Sequence, residues 1–390
     1  MKQIYLDYNA TTPLDGRVLE AMLPFLKDKY GNASSVHHFG REAKTALEQS
    51  REKVAAILGA EPSEIYFTSG GTESDNIAVK GAAHYLRKKR DHIITSAIEH
   101  HAVLETVKFL VKEGYRADFL GTDREGFVSP EELRNRVTDK TSIVSIMMAN
   151  NEVGTIQDIK ALSAIAHEKG ALFHTDAVQA VGKIKVNVVD LDVDLLALSA
   201  HKFYGPKGIG VIYIRKGVKV TPLAHGGHHE KGRRPGTENI PGIVGLAAAL
   251  ELAESLRQSE HDRLTALADF FIDGVRARVP NVYLNGPRGE RRVPSTVNLS
   301  FEYIEGESII LSLDMKGIGV ASGSACTSGS LEASHVLTAM AVPVELAQGS
   351  IRFSLGRFTT REDLEYTIDV LPEIVERLRA MSPLYEKSRK

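Results

Sequence analysis

Short apolar runs alternate with longer helical patterns from about residue 40 to 255, and this alternation constrains the fold more than any other feature. Runs such as "HIITS", "SIVSIMMA" and "GVIYI" lack polar alternation, which is typical of parallel strands covered on both faces. The segment from Phe39 to Leu58 places its apolar residues on one helical face and is followed by Gly59, a helix stop. We therefore predict an α/β domain whose functional residues follow the carboxyl ends of its strands.

A second pattern begins after a predicted helix over 242–257. Residues 258–390 mix helices with "TVNLSF", "GIGVAS" and "SIRFSLG", which we predict as strands of a smaller α+β domain. We expect the first dozen residues to pack with this part. The predicted division is a large domain over 13–256 and a small domain made of 1–12 and 257–390.

Composition excludes several classes of protein. The 390 residues include 48 basic and 50 acidic side chains, so a net charge of −2 predicts no general attraction to nucleic acid or to anionic membranes. No apolar run has the length of a membrane span, and the N-terminal stretch "MKQIYLDYNATTP" has no apolar core long enough for a signal peptide, so neither is expected. Cys326 is the single cysteine, which cannot form an internal disulfide and fits a reducing compartment. We expect a cytoplasmic protein.

The stretch "LSAHKFYGPKGIG" places Ser199, His201 and Lys202 at the end of an apolar strand, before a Gly/Pro turn. Partial burial lowers the pKa of a lysine, and a neutral amine can form a Schiff base with an aldehyde. The alternative is a surface lysine beside a turn.

The stretch "FHTDAVQAVGK" ends an earlier strand with Asp176, and Gln179 follows one turn later. A carboxylate at a strand end could hold a protonated pyridine nitrogen and strengthen an electron sink. An N-cap for a following helix explains Asp176 equally well at this point.

Two further stretches place polar groups after strands. In "FTSGGTESDN", backbone N–H groups of Gly71 and Thr72 could cradle a phosphate at a helix start, although the stretch matches no Walker or dinucleotide fingerprint. In "SAIEHHAVLET", a histidine could stack on an aromatic ring or move protons, and for His101 we favour an ordinary helix-start residue.

Four other motifs have competing interpretations. "HGGHHEKG" is interpreted as a solvated loop, since a metal site would need a second ligand cluster. "GRRPGTEN" contains Thr237 and could hold an anion, and one asparagine of "MMANNEVGT" is expected to make a turn. Arg352 in "IRFSLGRFTT" could bind a substrate carboxylate or form an internal salt bridge.

Together these stretches resemble one family along almost the whole chain. The sequence resembles the pyridoxal-phosphate-dependent cysteine desulfurases of the nitrogenase and iron–sulfur-cluster type, within the class V aminotransferase group. The matching stretches are "YLDYNATTP", "YGNASSVHHFGREA", "FTSGGTESDN", "EHHAV", "NNEVGT", "FHTDAVQAVGK", "SAHKFYGPKGIG", "GGHHEKGRRPGTEN", "ASGSACTSGSLEASHVL" and "IRFSLGRFTT". The departures are small: Ala33 stands where the family often has proline, and the loop at 226–230 has an extra histidine.

The resemblance implies the aspartate aminotransferase-like fold type I of pyridoxal-phosphate enzymes, in a homodimer. Lys202 would carry pyridoxal phosphate as a Schiff base, Asp176 would pair with the pyridinium nitrogen, and Gln179 would bond the ring hydroxyl. His100 would stack on the ring and move protons, and Cys326 would be the nucleophile. The residues implied to bind the phosphate are Gly71, Thr72, Ser199, His201 and, from the other subunit, Thr237. The residues implied to fix the substrate are Asn151, Arg352 and, as a weaker candidate, Asn32. Asn151 is also assigned to the cofactor. No metal is implied.

The implied reaction converts L-cysteine to L-alanine and leaves a persulfide on Cys326. The glycines and serines of "SGSACTSGS" would let the thiol collect sulfur and pass it to an acceptor, such as an iron–sulfur scaffold protein. One alternative is another class V enzyme, an aminotransferase or a selenocysteine lyase, in which Cys326 is incidental. A second alternative is a histidine-rich metal-binding or scaffold protein that keeps the fold without catalysis.

Overall fold

The computed structural model describes residues 3–323, 333–383 and 385. The predicted nucleophile Cys326 lies outside the described residues, between Gly323 and Ala333. Within the described ranges, no helix is long and apolar enough to cross a bilayer.

The described residues form twelve strands and twelve α-helices. The strands are β1 (Ile4–Tyr5), β2 (Ile65–Thr68), β3 (His92–Ser96), β4 (Arg116–Leu120), β5 (Thr141–Ser145), β6 (Leu172–Asp176), β7 (Leu195–Ser199), β8 (Gly210–Ile214), β9 (Val282–Asn285), β10 (Thr296–Phe301), β11 (Ile318–Gly319) and β12 (Ser350–Ser354). The helices are α1 (Gly16–Lys27), α2 (His38–Leu58), α3 (Gly71–Leu86), α4 (His101–Lys112), α5 (Pro130–Arg136), α6 (Ile159–Glu168), α7 (Val188–Leu191), α8 (Ile240–Arg278), α9 (Gly306–Asp314), α10 (His335–Ala339), α11 (Val344–Gln348) and α12 (Arg361–Ala380).

Seven strands form the main sheet in the order β2-β8-β7-β6-β5-β3-β4. Every neighbouring pair is parallel except the two that involve β8, which is antiparallel to β2 and to β7. Successive side chains enter opposite cores: Ile93 packs in one apolar cluster and Ile94 in the other. Because both faces are covered, apolar runs without polar alternation form these strands. The predicted α/β architecture is confirmed, and its main sheet is mixed and mostly parallel.

The parallel strands bring predicted site residues to one edge of the main sheet. The helix α3 begins at Gly71, shortly after β2, while β6 ends at Asp176 and β7 ends at Ser199. Carboxyl ends of parallel strands meet at a common edge, so the loops that follow them share one cleft.

The remaining strands lie in two smaller sheets. In the antiparallel sheet β12-β10-β9, β10 is the central strand, and β1 pairs with β11 in a parallel pair. Asp7 also forms a bridge with Ser354, so the chain's first residues pack beside β12. The assignment of residues 1–12 to the small domain stays a prediction.

The long helix α8 (Ile240–Arg278) connects the two parts of the structure. The helix predicted over 242–257 is too short, because the polar stretch "RQSEHDR" continues it without glycine or proline. Its first half buries Leu246 in the core of the main sheet, and its second half buries Phe271 in the core of the smaller sheet. The domain boundary predicted at 256/257 falls inside this helix and stays a prediction.

A buried ion pair fastens the loop before α8 to the main sheet. Arg51 on α2 donates from Nη2 to Glu230 Oε1 at 2.8 Å and from Nη1 to Oε2 at 3.0 Å. Glu230 Oε2 also accepts from the backbone N of Phe67 on β2 at 2.8 Å. Arg51 has a second, exposed partner, Glu48, at 3.2 Å.

The two carboxylates around Arg51 allow a matched stability test. We expect Glu230→Gln to lower the free energy of unfolding by about 3 kcal/mol, because it leaves a buried guanidinium without its counter-ion. Glu48→Gln removes an exposed partner of the same arginine and should cost less than about 1 kcal/mol. Urea unfolding followed by circular dichroism measures both, and equal losses would contradict the assignment of the buried pair as the fastening contact.

Candidate active site

Asn9 lies at the centre of the hydrogen bonds that join the predicted site residues. Its carbonyl oxygen accepts from Lys202 Nζ at 2.7 Å and from Gln179 Nε2 at 2.9 Å. Its Nδ2 donates to the carbonyl oxygen of Asn151 at 3.1 Å, and its Oδ1 accepts from Lys183 Nζ at 3.1 Å. Asn9 and Lys183 are not among the residues predicted from the sequence. Both nevertheless lie in stretches that carry the family resemblance, "YLDYNATTP" and "FHTDAVQAVGK", which was the signal available.

Lys202 is held by the backbone of the N-terminal segment. It ends the 3-10 turn Ala200–Lys202, which follows β7 directly. Its Nζ donates to the carbonyl oxygens of Asn9 and Ala10 at 2.7 and 2.8 Å. These contacts fix the amine at the carboxyl edge of the main sheet and argue against a surface lysine beside a turn.

Asp176 is a buried carboxylate at the end of β6, 5% exposed. Its Oδ1 accepts from the backbone N of Val178 at 2.9 Å, and no hydrogen bond from a described residue reaches its other oxygen. Burial raises the pKa of Asp176 to about 6, while the nearby Lys202 opposes that rise. The residues after it form turns rather than the helix that the N-cap interpretation requires. A cation at the second oxygen, such as a protonated pyridine nitrogen, would therefore suit this carboxylate.

A cradle for an anion lies beside these groups at the start of α3. Gly70, Gly71 and Thr72 line it together with Ser199 and His201. A Cβ on Gly71 would lie 2.7 Å from Val178 Cγ2, so only glycine lets the helix start approach the loop after β6. The first backbone N–H groups of a helix have no partner within the helix and favour a phosphate. The cradle fits the phosphate of the cofactor expected from the sequence.

His100 is the N-cap of α4, and His101 is the first residue of that helix. The Nδ1 atom of His100 accepts from the backbone N of Ala102 at 3.1 Å. Burial, with smaller effects of Lys202 and His101, lowers the pKa of His100 to about 4. The ring is therefore neutral near pH 7, and because Nδ1 is an acceptor its proton lies on Nε2.

Arg352 on β12 is buried beside Asn151. Its Nη2 donates to Asp7 Oδ1 at 2.7 Å, and its Nη1 donates to the carbonyl oxygen of Asn151 at 3.2 Å. The Nε of Arg352 is buried without a hydrogen-bond partner among the described residues. The internal salt bridge considered for Arg352 is thus present, and the guanidinium keeps donor capacity for a further acceptor. The turn-making asparagine is Asn150, whose Oδ1 accepts from the backbone N of Glu152 at 2.8 Å and that of Val153 at 3.0 Å.

Glu152 contacts both ends of the segment that contains Cys326. A Cβ on Gly323 would lie only 2.2 Å from Glu152 Oε2, and the same oxygen accepts from Ser334 Oγ at 2.5 Å. Ala321 pairs with Arg352 through two backbone hydrogen bonds of 2.7 and 3.2 Å. The segment therefore leaves and rejoins the described fold beside Asn151 and Arg352.

Two predicted residues are not brought into this group within one chain. Asn32 and Thr237 are both exposed, and neither forms a hydrogen bond with another predicted site residue in the described part of the chain. Asn32 Oδ1 instead accepts from the backbone N of Ser34 at 2.9 Å. Their assigned roles stay predictions.

The stretch "HGGHHEKG" is only partly the solvated loop that the sequence predicts, because its Glu230 is buried in the ion pair with Arg51. His229 Nδ1 accepts from the backbone N of Gly236 at 3.3 Å. Across the described ranges, no group of three His, Cys, Asp or Glu side chains is placed to hold a metal ion.

Comparisons with known proteins find relatives that match almost the whole chain. The cysteine desulfurase IscS of Dictyoglomus turgidum is 58% identical over 382 residues, which cover 98% of this chain and 97% of the relative. The solved structure of a NifS-like protein has a TM-score of 0.91 at 43% identity and covers 97% of this chain and 100% of its own. A structure of SspA in complex with cysteine has a TM-score of 0.81 at 35% identity and covers 92% and 100%.

These likenesses confirm the predicted fold type and the predicted resemblance. The family model described as aminotransferase class-V matches residues 4–367, from the first strand into the last helix. The chain therefore belongs to the class-V aminotransferase family.

Proposed function

We propose that this chain is a cysteine desulfurase that uses pyridoxal phosphate. It converts L-cysteine to L-alanine and holds the released sulfur as a persulfide on Cys326. One observation carries the proposal: Lys202, Gln179 and Asn151 all bond to Asn9, beside the two ends of the segment that contains the only cysteine.

The cofactor is proposed to lie between these groups. Bound at Lys202, pyridoxal phosphate would supply an electron sink that acidifies the substrate Cα hydrogen and weakens its Cβ–Sγ bond. The cradle at Gly71, Thr72, Ser199 and His201 would hold its phosphate, with Thr237 of the partner subunit. The Asp176 carboxylate would hold the pyridinium nitrogen, and that cation would favour its ionised form.

The proton positions assign roles to the two candidate bases. Lys202 Nζ is the group held in place for proton removal, because two carbonyl oxygens orient it. His100 has Nδ1 engaged with Ala102 and therefore presents a hydrogen at Nε2. We assign removal of the Cα proton to Lys202 and assign stacking and hydrogen-bond donation to His100.

Arg352 and Asn151 are proposed to bind the substrate carboxylate. A guanidinium already oriented by Asp7 loses little freedom when it binds a second carboxylate, and its planar donors match that group. Asn32 is a weaker candidate, since its own side-chain oxygen is engaged with Ser34.

The sulfur-transfer step uses the thiolate of Cys326. It attacks the substrate sulfur, so an S–S bond forms as the Cβ–S bond breaks. The electron pair of the broken bond stays with the carbon, which takes up a proton and leaves as alanine. The persulfide is then passed to a protein acceptor such as an iron–sulfur scaffold. The reducing cytoplasm, where thiols persist, is the proposed compartment.

A homodimer is proposed as the working form. Thr237 and Asn32 are exposed in a single chain, although the family resemblance assigns both to the site. The Arg51–Glu230 pair fixes the loop that presents Thr237. A second copy of the chain would therefore complete the phosphate cradle.

Replacement of the only thiol tests the proposal. We expect Cys326→Ala to lower alanine formation from cysteine by more than about a hundredfold, since removing a nucleophile removes the transition-state interaction. The absorption band of the bound cofactor should be unchanged. Mass spectrometry of the wild-type enzyme after reaction with cysteine should find the additional sulfur on Cys326.

Undiminished alanine formation in Cys326→Ala would favour another class V enzyme with an incidental cysteine. A colourless protein that gains no absorption band with added pyridoxal phosphate would instead favour a non-catalytic scaffold.

The two interpretations of Arg352 can be separated with its ion-pair partner. We expect Arg352→Gln to raise the KM for cysteine about 10- to 100-fold, because a charge-assisted contact of about 1.5–3 kcal/mol to the substrate is lost. Asp7→Asn removes the internal salt bridge but keeps the guanidinium, so its KM should rise less than about threefold. Steady-state kinetics of both variants decide the point, and equal rises in KM would mean that Arg352 acts only through the salt bridge.

A further inference from the structure

Lys183 is a cation beside the site that the proposed mechanism does not use. It lies four residues beyond Gln179 and donates from Nζ to Gln179 Oε1 at 2.6 Å and to Asn9 Oδ1 at 3.1 Å. Both acceptors are neutral amides. No carboxylate of a described residue lies within ion-pairing distance of Lys183. Its neighbour Lys185, by contrast, is 71% exposed in its side chain and lies 3.5 Å from Asp190.

The contact with Lys183 determines which way the Gln179 amide faces. A glutamine side chain has an oxygen end that only accepts and a nitrogen end that only donates, and the two ends have nearly the same shape. Lys183 donates and does not accept when charged, so it selects Oε1 and turns Nε2 away from itself. In the structure that nitrogen donates to Asn9 O at 2.9 Å, the oxygen that also receives Lys202 Nζ.

The same contact applies to Asn9. Because Lys183 takes Oδ1, the Nδ2 end of Asn9 faces Asn151 O at 3.1 Å and Thr296 Oγ1 at 2.8 Å. One amine therefore fixes the orientation of two buried amides, and each of those amides contacts other residues of the site.

A lysine in this place carries a cost that the fold does not offset with an ion pair. Burial, and then the charges of Lys202 and Arg352, lower the pKa of Lys183 to about 7. An unpaired lysine is seldom kept in such a setting unless its hydrogen bonds are used. The bonds that it makes are those to Gln179 and Asn9.

We propose that Lys183 is a positioning residue for the cofactor. It acts through Gln179, because it keeps the donor end of that amide directed at the hydroxyl oxygen of the cofactor ring. This inference rests on the proposed function, because the ring hydroxyl is that of pyridoxal phosphate. The hydrogen-bond geometry around Gln179 carries it.

The test follows binding of pyridoxal phosphate to the full-length chain after the cofactor has been removed. For Lys183→Met, we expect the concentration for half-maximal recovery of the cofactor absorption band to rise about tenfold, the equivalent of one misdirected hydrogen bond. Lys183→Arg keeps a donor-only cation and should stay within about threefold of wild type. Lys185→Met removes an exposed lysine nearby and should behave as wild type.

Coupling between two positions separates positioning from a merely structural role. In a Gln179→Leu background, Lys183→Met should cause little further loss of cofactor binding, because there is no amide left to orient.

The pH midpoint of the bound cofactor's absorption change should move upward by about half a unit in Lys183→Met, since a nearby cation no longer opposes protonation at Lys202. If Lys183→Met fails to fold by circular dichroism, Lys183→Gln serves instead, because an amide there can no longer select Oε1.

Wild-type cofactor binding in Lys183→Met, or losses that add fully with Gln179→Leu, would overturn the proposal. A loss restored by Lys183→Arg and absent in the Gln179→Leu background supports it. Cofactor binding and the pH midpoint of the absorption change are both measured without sulfur release. The positioning role can therefore fail while desulfurase activity persists, and a failure of the desulfurase assignment would show instead in the Cys326→Ala experiment.

Discussion

The site depends on the hydrogen bonds of one buried asparagine in the N-terminal segment. Asn9 is 2% exposed and receives or donates hydrogen bonds through its backbone N and O and through both ends of its side chain. Its partners include Lys202 from the main sheet and Ser354 from the smaller one. Aspartate would lack the Nδ2 donor, and an apolar residue would leave several buried polar groups unpaired. The first dozen residues therefore join the two parts of the protein at the point where Lys202 is held.

Burial is the main influence on the ionisable groups around this junction. Burial raises the pKa of Glu152 to about 7 and that of Asp176 to about 6, while it lowers the pKa of His100 to about 4. All three shifts favour neutral forms, as a low dielectric requires. A charged ligand that enters such a place is strongly oriented by the few charges that remain. The guanidinium of Arg352 is one such charge. Its bond to Asp7 uses only part of its hydrogen-bonding capacity, and its Nε has no partner among the described residues.

Much of this arrangement could be predicted from sequence because it depends on local patterns. The runs "HIITS" and "GVIYI" coincide with β3 and β8, since apolar residues covered on both faces leave a clear signal. The run "TVNLSF" coincides with β10, where apolar residues that enter one core alternate with polar ones. The edge strand β4 left no such signal: its sequence "RADFL" is partly exposed and only Leu120 is fully buried. The sequence did not reveal the full length of α8, because the middle of this helix is polar. That polar stretch lies between two halves that pack into different cores.

Asn9, which sequence reasoning missed, acts through distant partners. Asn9 is 193 residues from Lys202 and 142 from Asn151, so no spacing in the chain reveals their contact. In the sequence, Lys183 looks like an ordinary lysine after a glycine. Its proposed role follows only from its contacts in the structure, where it orients the side-chain amides of Gln179 and Asn9. Asp176 and Lys202, by contrast, were predictable since each stands at the carboxyl end of a parallel strand, where the fold itself specifies the location. In this chain the strand ends place Asp176 and Lys202 at one edge of the main sheet, while Asn9 in the N-terminal segment orients Lys202 and Gln179 through its carbonyl oxygen.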